Sequence, residues 1–301
     1  MPPAKPLGNL TVRLQRILFL IPYFGRWPFW MPFFLASCRH NSNIDWLFFT
    51  DCGVPDDAPD NVRFESCSFT EYCHYVSLRL GINFQPLSPY KLCDLKPALG
   101  YIHSDVLNGY DFWGFGDIDL VYGDLRSYFT TERLHFFDLL STHERRVSGH
   151  LCLLRCSKKM LELFMSVPEW ETRLAAREHN CFDESAFSKL FIKHKNWPAL
   201  LRLCAGLFNP LRRRSEFVEA FSTPNGHVYW HNKSFNFPSR WIWRNGHLFN
   251  DQDGEREFPY FHFMVWKTDA WPRHNECDLV QSPFLADSSE WAITPYGFRE
   301  A

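Results

Sequence analysis

The segment from Tyr110 to Asp124, YDFWGFGDIDLVYGD, sets two carboxylates, Asp117 and Asp119, one residue apart behind an apolar, aromatic run. Such a run reads as a buried strand, and carboxylates where it should continue are costly to bury unless something neutralises them. A divalent cation is the usual solution, because hard cations such as Mg²⁺ take oxygen ligands and share them with substrate phosphates. At a strand end both side chains of an Asp-x-Asp pair can reach one ion or its waters. A bare Asp-x-Asp also arises by chance as two surface residues in a loop. The Phe-Trp-Gly-Phe-Gly run before it favours the ion.

Other residues offer complementary chemistry. Lys91, Asp94 and Lys96 lie within a few positions of one another. A lysine there could pair with a phosphate while Asp94 orients it, the alternative being a solvated helix face. Asp51 closes an apolar run and could accept from a base or ribose. Ser148-Gly149-His150 precedes another apolar run, and Gly149 would let a sugar approach the backbone closely. Asp183 and Glu184 open a helical pattern, where carboxylates serve as caps and complement the helix dipole. Alternatively one of them, Asp183 first, is the general base that deprotonates an acceptor hydroxyl. The basic run Arg212 to Arg214 reads either as a solvated loop or as a contact for an anionic lipid diphosphate or a membrane surface.

The elements that must position these groups alternate. Strands are expected at Ile17 to Ile21, Asp45 to Thr50, Val62 to Glu65, Tyr110 to Phe115, Phe136 to Ser141 and Leu151 to Arg155. Helices are expected at Phe69 to Leu80, capped by Thr70 and stopped by Gly81, and at Lys96 to Leu107 with Pro97 in its first turn. Ser157 to Ser166 and Cys181 to His194 also read as helical, and Asn209 to Trp243 as loop. Alternation of this kind predicts a mostly parallel, three-layer α/β sheet, which binds ligands beyond the carboxyl ends of its strands. Asp51, Asp117 and Asp119 all fall at such ends and could line one cleft. The expected organisation is a polar tail over 1–15 and one domain over 16–301. Within that domain, residues 16–156 are expected to form one half and 157–301 the other.

Composition narrows the class. The 301 residues are 46% hydrophobic and 22% charged, so a packed globular core is expected. A net charge of -2 argues against nucleic acid as the main partner. Aromatics reach 18%; much of that must be core, and surplus Trp and Tyr also suit ligands with apolar faces such as sugars, two uses that composition alone does not separate. The ten cysteines form no Cys-x-x-Cys pair and read as mostly buried, reduced thiols of a cytoplasmic protein. The apolar stretch Ile17 to Cys38 is long enough to span a bilayer but contains Arg26, Pro22, Pro28 and Pro32. It reads instead as a strand, a turn at Tyr23 to Trp27 and a helix reaching about Asn41. Leu35-Ala36-Ser37-Cys38 imitates a lipoprotein cleavage site, but Gly25 and Arg26 break the apolar region before it.

Taken in order, IPYFGRWPFW (21–30), FFTD (48–51), PYKLCDLKPALGYI (89–102), GFGDIDLVYGDL (114–125), SGHLCLLR (148–155) and FDESAF (182–187) resemble a bacterial glycosyltransferase family of the surface-polysaccharide type. The resemblance implies a GT-A-like fold: a mostly parallel central sheet with helices on both faces. It also implies an Asp-x-Asp pair holding Mn²⁺ or Mg²⁺ against a nucleotide-sugar diphosphate. On this chain those residues are Asp117 and Asp119. His262 and Lys267 in YFHFMVWK (260–267) look like the His…Lys closure of some retaining glycosyltransferases, in which His completes the metal site and Lys grips a phosphate. A hydrogen-bonded core histidine is the other reading of His262. Pro22 and Tyr23 stand where the family places the base. The implied partners are a nucleotide-sugar donor, UDP-linked first, and a glycan or lipid-linked glycan acceptor, with peripheral contact at the inner membrane face. Two rival classes stay open. A nucleotidyltransferase would normally show a Gly-rich phosphate loop near the first strand, which IPYFGRWP lacks. A non-catalytic carbohydrate-binding protein is favoured by the aromatic content.

Overall fold

Apolar runs of five or six residues, rich in Ile, Leu, Phe and Trp, can be buried on both faces only inside a layered sheet. The computed structural model describes residues 13–193, 197–226 and 228–301, and these runs form its centre. Positions 1–12 of the expected tail, and His194, lie outside the described residues. Strands β1 (Ile17–Pro22), β2 (Asp45–Thr50), β3 (Val62–Ser66) and β4 (Phe112–Gly116) occur as anticipated. After them come β5 (Leu120–Tyr122), β6 (Leu139–Ser141), β7 (Leu151–Arg155) and β8 (Ser215–Phe217). A seven-stranded sheet runs in the order β3-β2-β1-β4-β7-β6-β8, and β7 is antiparallel to both its neighbours while the other pairings are parallel.

Alternation splits each strand between two cores. Leu18 and Leu20 of β1, with Trp113 and Phe115 of β4, face helix α2 (Phe69–Leu80) and the segment carrying Leu92, Leu95 and Leu99. Ile17, Phe19 and Ile21, with Phe112, face helix α1 (Met31–Arg39) and Leu125, Phe129 and Leu134. The sheet is thus the middle of three layers. Each fully buried side chain of this size contributes about 1.5–3 kcal/mol. The apolar stretch from Ile17 to Cys38 is consumed by this packing, and no helix among the described residues is long and apolar enough to cross a membrane.

The C-terminal part adds a sheet that periodicity did not reveal. Strands β9 (Trp241–Arg244), β10 (His247–Asn250), β12 (Glu290–Thr294) and β13 (Gly297–Arg299) pair in the order β10-β9-β12-β13, and β11 (Tyr260–His262) pairs antiparallel with β5. Stacked Trp243 and Trp291, with ring centroids 4.9 Å apart, centre its core. Trp243 Nε1 donates to the Tyr122 carbonyl at 3.0 Å, which ties this sheet to β5.

Several local expectations need correction. Helix α2 is capped by Ser68, not Thr70: Ser68 Oγ accepts from the Glu71 amide at 3.2 Å while the Glu71 carboxylate accepts from the Ser68 amide at 2.8 Å. The reciprocal pair satisfies two end donors at once, which Thr70 could not do. Gly81 does end it, in a left-handed conformation at φ 67. Lys96 to Leu107 is not one helix but part of a 3₁₀ segment Pro89–Ala98, a single turn Leu99–Ile102 and a further 3₁₀ turn Ser104–Leu107. Pro97, without an N–H to donate, sits inside that break. Phe136 begins no strand, because Thr131–Phe136 is helical behind its Thr130 cap. Ser157 to Ser166 divides into Lys158–Leu161 and the 3₁₀ turn Leu163–Ser166, and Asn209 to Trp243 contains the helical turn Pro210–Arg213 and β8. All ten cysteines are free; seven are buried or half-buried, and Cys181, Cys204 and Cys277 are exposed.

Candidate active site

Because β4 is parallel to β1 and β2, its carboxyl end lies at the same sheet edge as theirs, and reversed β7 starts there. Asp117 follows β4 directly, and its amide donates to the His150 carbonyl at 3.1 Å, so the start of β7 pins it. Trp30 Nε1 holds the Ile118 carbonyl at 3.0 Å, shaping the turn from Asp117 into Asp119. The β5–β11 pairing sets His262 opposite Leu120, and the Phe263 amide donates to the Asp119 carbonyl at 3.3 Å. Asp117, Asp119 and His262 thereby each present one ligand atom, all within 4.8 Å of one another. Asp119 and His262 are buried and Asp117 is half-buried.

The surroundings fit a cation. His262 Nδ1 lies 3.1 Å from Thr223 Oγ1, while its Nε2 is buried without a hydrogen-bond partner and stands 3.5 Å from Asp119 Oδ1. An imidazole fixed at one nitrogen and unpartnered at the other, aimed at two carboxylates, is the arrangement a metal ligand adopts. Two lysines flank the cluster: Lys96 Nζ is 2.5 Å from Asp117 Oδ1, and Lys267 Nζ is 2.6 Å from Asp119 Oδ2. Burial alone would raise the Asp119 carboxyl, but His262 and then Lys267 outweigh it and hold it well below the usual range. Burial would likewise lower the Lys96 ammonium, yet Asp117, Cys93 and Asp183 around it raise it above its ordinary value. His150 stacks on His262 with centroids 4.4 Å apart, and its Nε2 lies 2.7 Å from Tyr260 Oη. Burial first, and the neighbouring His262 second, hold the His150 imidazole well below its ordinary value.

On the β1–β2 side, Tyr23 and Trp27 stack with centroids 5.2 Å apart. Asp51 Oδ1 accepts from the Gly25 amide at 2.7 Å, bracing the loop between them. Beside this loop opens a cleft of about 410 Å³, lined by Arg26, Trp27, Trp30, Lys267, Trp271 and Glu276 among others. A second cavity, of about 470 Å³, lies along helix Ala199–Leu207, and no cluster residue lines it.

On the β7–β6 side, Gly149 is cradled by carboxylates. A Cβ at this position would stand 2.9 Å from Asp183 Oδ2 and 3.1 Å from Glu184 Oε1. Asp183 is 3% exposed, and burial chiefly, with Glu184 adding and Lys96 opposing, pushes its carboxyl up to about 7. Glu184 pairs with Arg146 at 3.0 Å. Glu219, beyond β8, lies 3.8 Å from His143 Nδ1, and burial pushes it up to about 6.

The sequence pattern of one family matches residues 19–299, a span that includes every residue of this cluster. The chain belongs to DUF6625, a family of unknown function. No curated protein matches it. Solved structures similar to this DUF6625 protein include the galactosyltransferase LgtC in complex with donor and acceptor sugar analogues, at 11% identity and a TM-score of 0.35 over 87% of this chain and 90% of that one. An active-site mutant of LgtC is similar at 11% identity and a TM-score of 0.40, with the same coverage.

Within the DUF6625 chain, the residues singled out by sequence divide into those at the site and those behind it. Asp117, Asp119, His262, Lys96 and Lys267 converge, and Pro22, Tyr23 and Asp51 stand at the adjoining strand ends. Gly149, His150, Asp183 and Glu184 adjoin the cluster on the β7 side, where His150 stacks on His262 and Asp183 lies close enough to act on Lys96. Lys91 and Asp94 do not face the cleft. They form an ion pair at 2.8 Å with side chains 1% and 0% exposed, turned inward by the 3₁₀ segment. Ser148 is also fully buried, its hydroxyl accepting from Thr142 Oγ1 at 3.0 Å, so it supports β6 and β7. Arg212 and Arg214 are turned to internal partners, the Ser215 carbonyl at 2.6 Å and Asp138 at 2.9 Å. Thr223, Arg146 and Glu219 went unnoticed in sequence because nothing in their spacing marks them; the topology brings them in.

Proposed function

We propose that this protein is a metal-dependent glycosyltransferase with a GT-A-like fold, moving a sugar from a nucleotide-diphosphate donor, UDP-linked first, to a hydroxyl of a glycan or lipid-linked glycan. The observation that carries the reading is the Asp117–Asp119–His262 triangle with its unpartnered imidazole nitrogen, flanked by two lysines at the carboxyl edge of the sheet. Asp117, Asp119 and His262 would hold the ion, and two carboxylates with an imidazole suit Mn²⁺ over Mg²⁺. A bound divalent ion supplies neutralisation of the charge that grows on a leaving diphosphate.

The chain's own residues account for the rest. Lys96 and Lys267, each already beside a cluster carboxylate, are placed to donate to phosphate oxygens. The Tyr23–Trp27 stack offers a flat face to a base, and Asp51 steadies the loop that carries it. Gly149 leaves room beside Asp183 and Glu184 for an acceptor. Asp183, titrating near 7, suits a general base at neutral pH, because proton transfer is most efficient when the catalytic group titrates close to the working pH. With Asp183 taking its proton, the acceptor oxygen attacks the anomeric carbon as the diphosphate leaves, with inversion, whereas the His262…Lys267 closure leans towards retention; NMR of the first-formed anomeric proton decides this. The rival reading, a non-catalytic glycan binder, draws on the Trp27, Trp30 and Trp271 lining of the cleft.

A screen of nucleotide sugars for Mn²⁺-dependent hydrolysis and transfer tests the proposal. Turnover with one donor, abolished by EDTA and restored by Mn²⁺, is expected. Glycan binding that persists in EDTA, with no turnover of any nucleotide sugar, contradicts it.

A further inference from the structure

Asp94 is fully buried, yet its carboxylate does more than neutralise Lys91. Oδ2 accepts from the Asn180 amide at 2.9 Å and Oδ1 from the Phe182 amide at 2.8 Å, while His179 Nδ1 lies 3.1 Å from Oδ1. Lys91 Nζ, 2.8 Å from Oδ2, also donates to the Arg173 carbonyl at 2.9 Å, the same carbonyl that Asn180 Nδ2 holds at 2.7 Å. One buried ion pair therefore grips the chain on both sides of Cys181. That residue, although not glycine, is left-handed at φ 55, a conformation an L residue keeps only when its surroundings enforce it. The next residues, Phe182–Ala186, form a single π-helical turn that carries Asp183 and Glu184, and such turns are rare and gather at functional sites. Two residues after Asp94, Lys96 reaches Asp117 at 2.5 Å. A single buried segment thus holds the cluster at one point and the Asp183 turn at another.

We propose that Asp94, paired with Lys91, is a positioning residue that sets where Asp183 and Glu184 stand relative to the Asp117–Asp119–His262 cluster. The proposal rests on the glycosyltransferase reading for its catalytic consequence. Replacing a buried ion pair by apolar groups of similar volume commonly preserves the fold. Lys91→Met/Asp94→Leu should therefore remain folded while losing both amide contacts. Asp94→Asn, which keeps the shape and one acceptor, is the second variant.

Three readouts separate the outcomes: kcat with the best donor, Mn²⁺-dependent UDP affinity, and amide exchange over residues 179–186. Expected in the double variant are a kcat lowered about 100-fold, as for a misplaced catalytic group, unchanged UDP affinity and faster exchange confined to that segment. Asp94→Asn should show a smaller loss of the same pattern. Wild-type kcat in both variants, or UDP affinity falling in step with kcat, overturns the proposal. Should the wild type turn over no nucleotide sugar, the functional reading fails by itself. Exchange then decides the positioning role: faster at 179–186 supports it, and no change overturns it.

Discussion

Asp183→Asn isolates the chemistry of the buried carboxyl. In the wild type this group is 3% exposed and its carboxyl rises from an ordinary 3.8 to about 7, chiefly through burial. Between those two values the folded state binds more protons than the unfolded one, so stability is full below about 4 and is lost as pH rises towards 7. The separation is about three pH units at about 1.4 kcal/mol each, giving about 4 kcal/mol as an upper value. Asparagine removes the titration while keeping the shape. Contributions from Glu219 and other groups remain in both proteins and cancel in the difference. Urea unfolding in EDTA at pH 4, 5, 6, 7 and 8 should show the variant gaining on the wild type by several kcal/mol across that range, levelling off above about 7. A difference that stays flat with pH would refute the burial argument and, with it, the case for Asp183 as a base at neutral pH.

Further perturbations probe other walls of the site. Gly149→Ala drives a Cβ to 2.9 Å from Asp183 Oδ2, so kcat should fall steeply while calorimetric UDP affinity in Mn²⁺ is kept. Thr223→Val leaves His262 Nδ1 without its partner, and Mn²⁺ affinity by titration should weaken about 10- to 100-fold, as for other outer-shell losses. Trp27→Ala removes one ring of the stack beside the cleft, and donor KM should rise by about 1–3 kcal/mol equivalent with kcat little changed.

Much of this is legible in the sequence itself, for identifiable reasons. β1, β2, β4 and β7 are apolar runs whose length and flanking breaks leave little choice but buried strands. Asp117 and Asp119 stand out because carboxylates at the end of such a run need a partner. His262 and Lys267 were read through resemblance, and the β5–β11 pairing brings both to Asp119. Lys91 and Asp94 invite a phosphate-binding reading because their charges cluster within a few positions, whereas a 3₁₀ segment turns them inward onto each other. β5 and β8 span three residues each, too short for a period to register. Thr223 and Glu219 lie far in sequence from the groups they serve, so only the three-dimensional path of the chain assembles them.

The central claim is that Asp117, Asp119 and His262 clamp a divalent ion onto a diphosphate. Calorimetric titration of UDP with and without Mn²⁺, on the wild type and on Asp119→Ala, tests it most directly. Binding should require Mn²⁺ in the wild type and vanish in the variant. Equal UDP affinity in EDTA, or a variant that binds like the wild type, would contradict it.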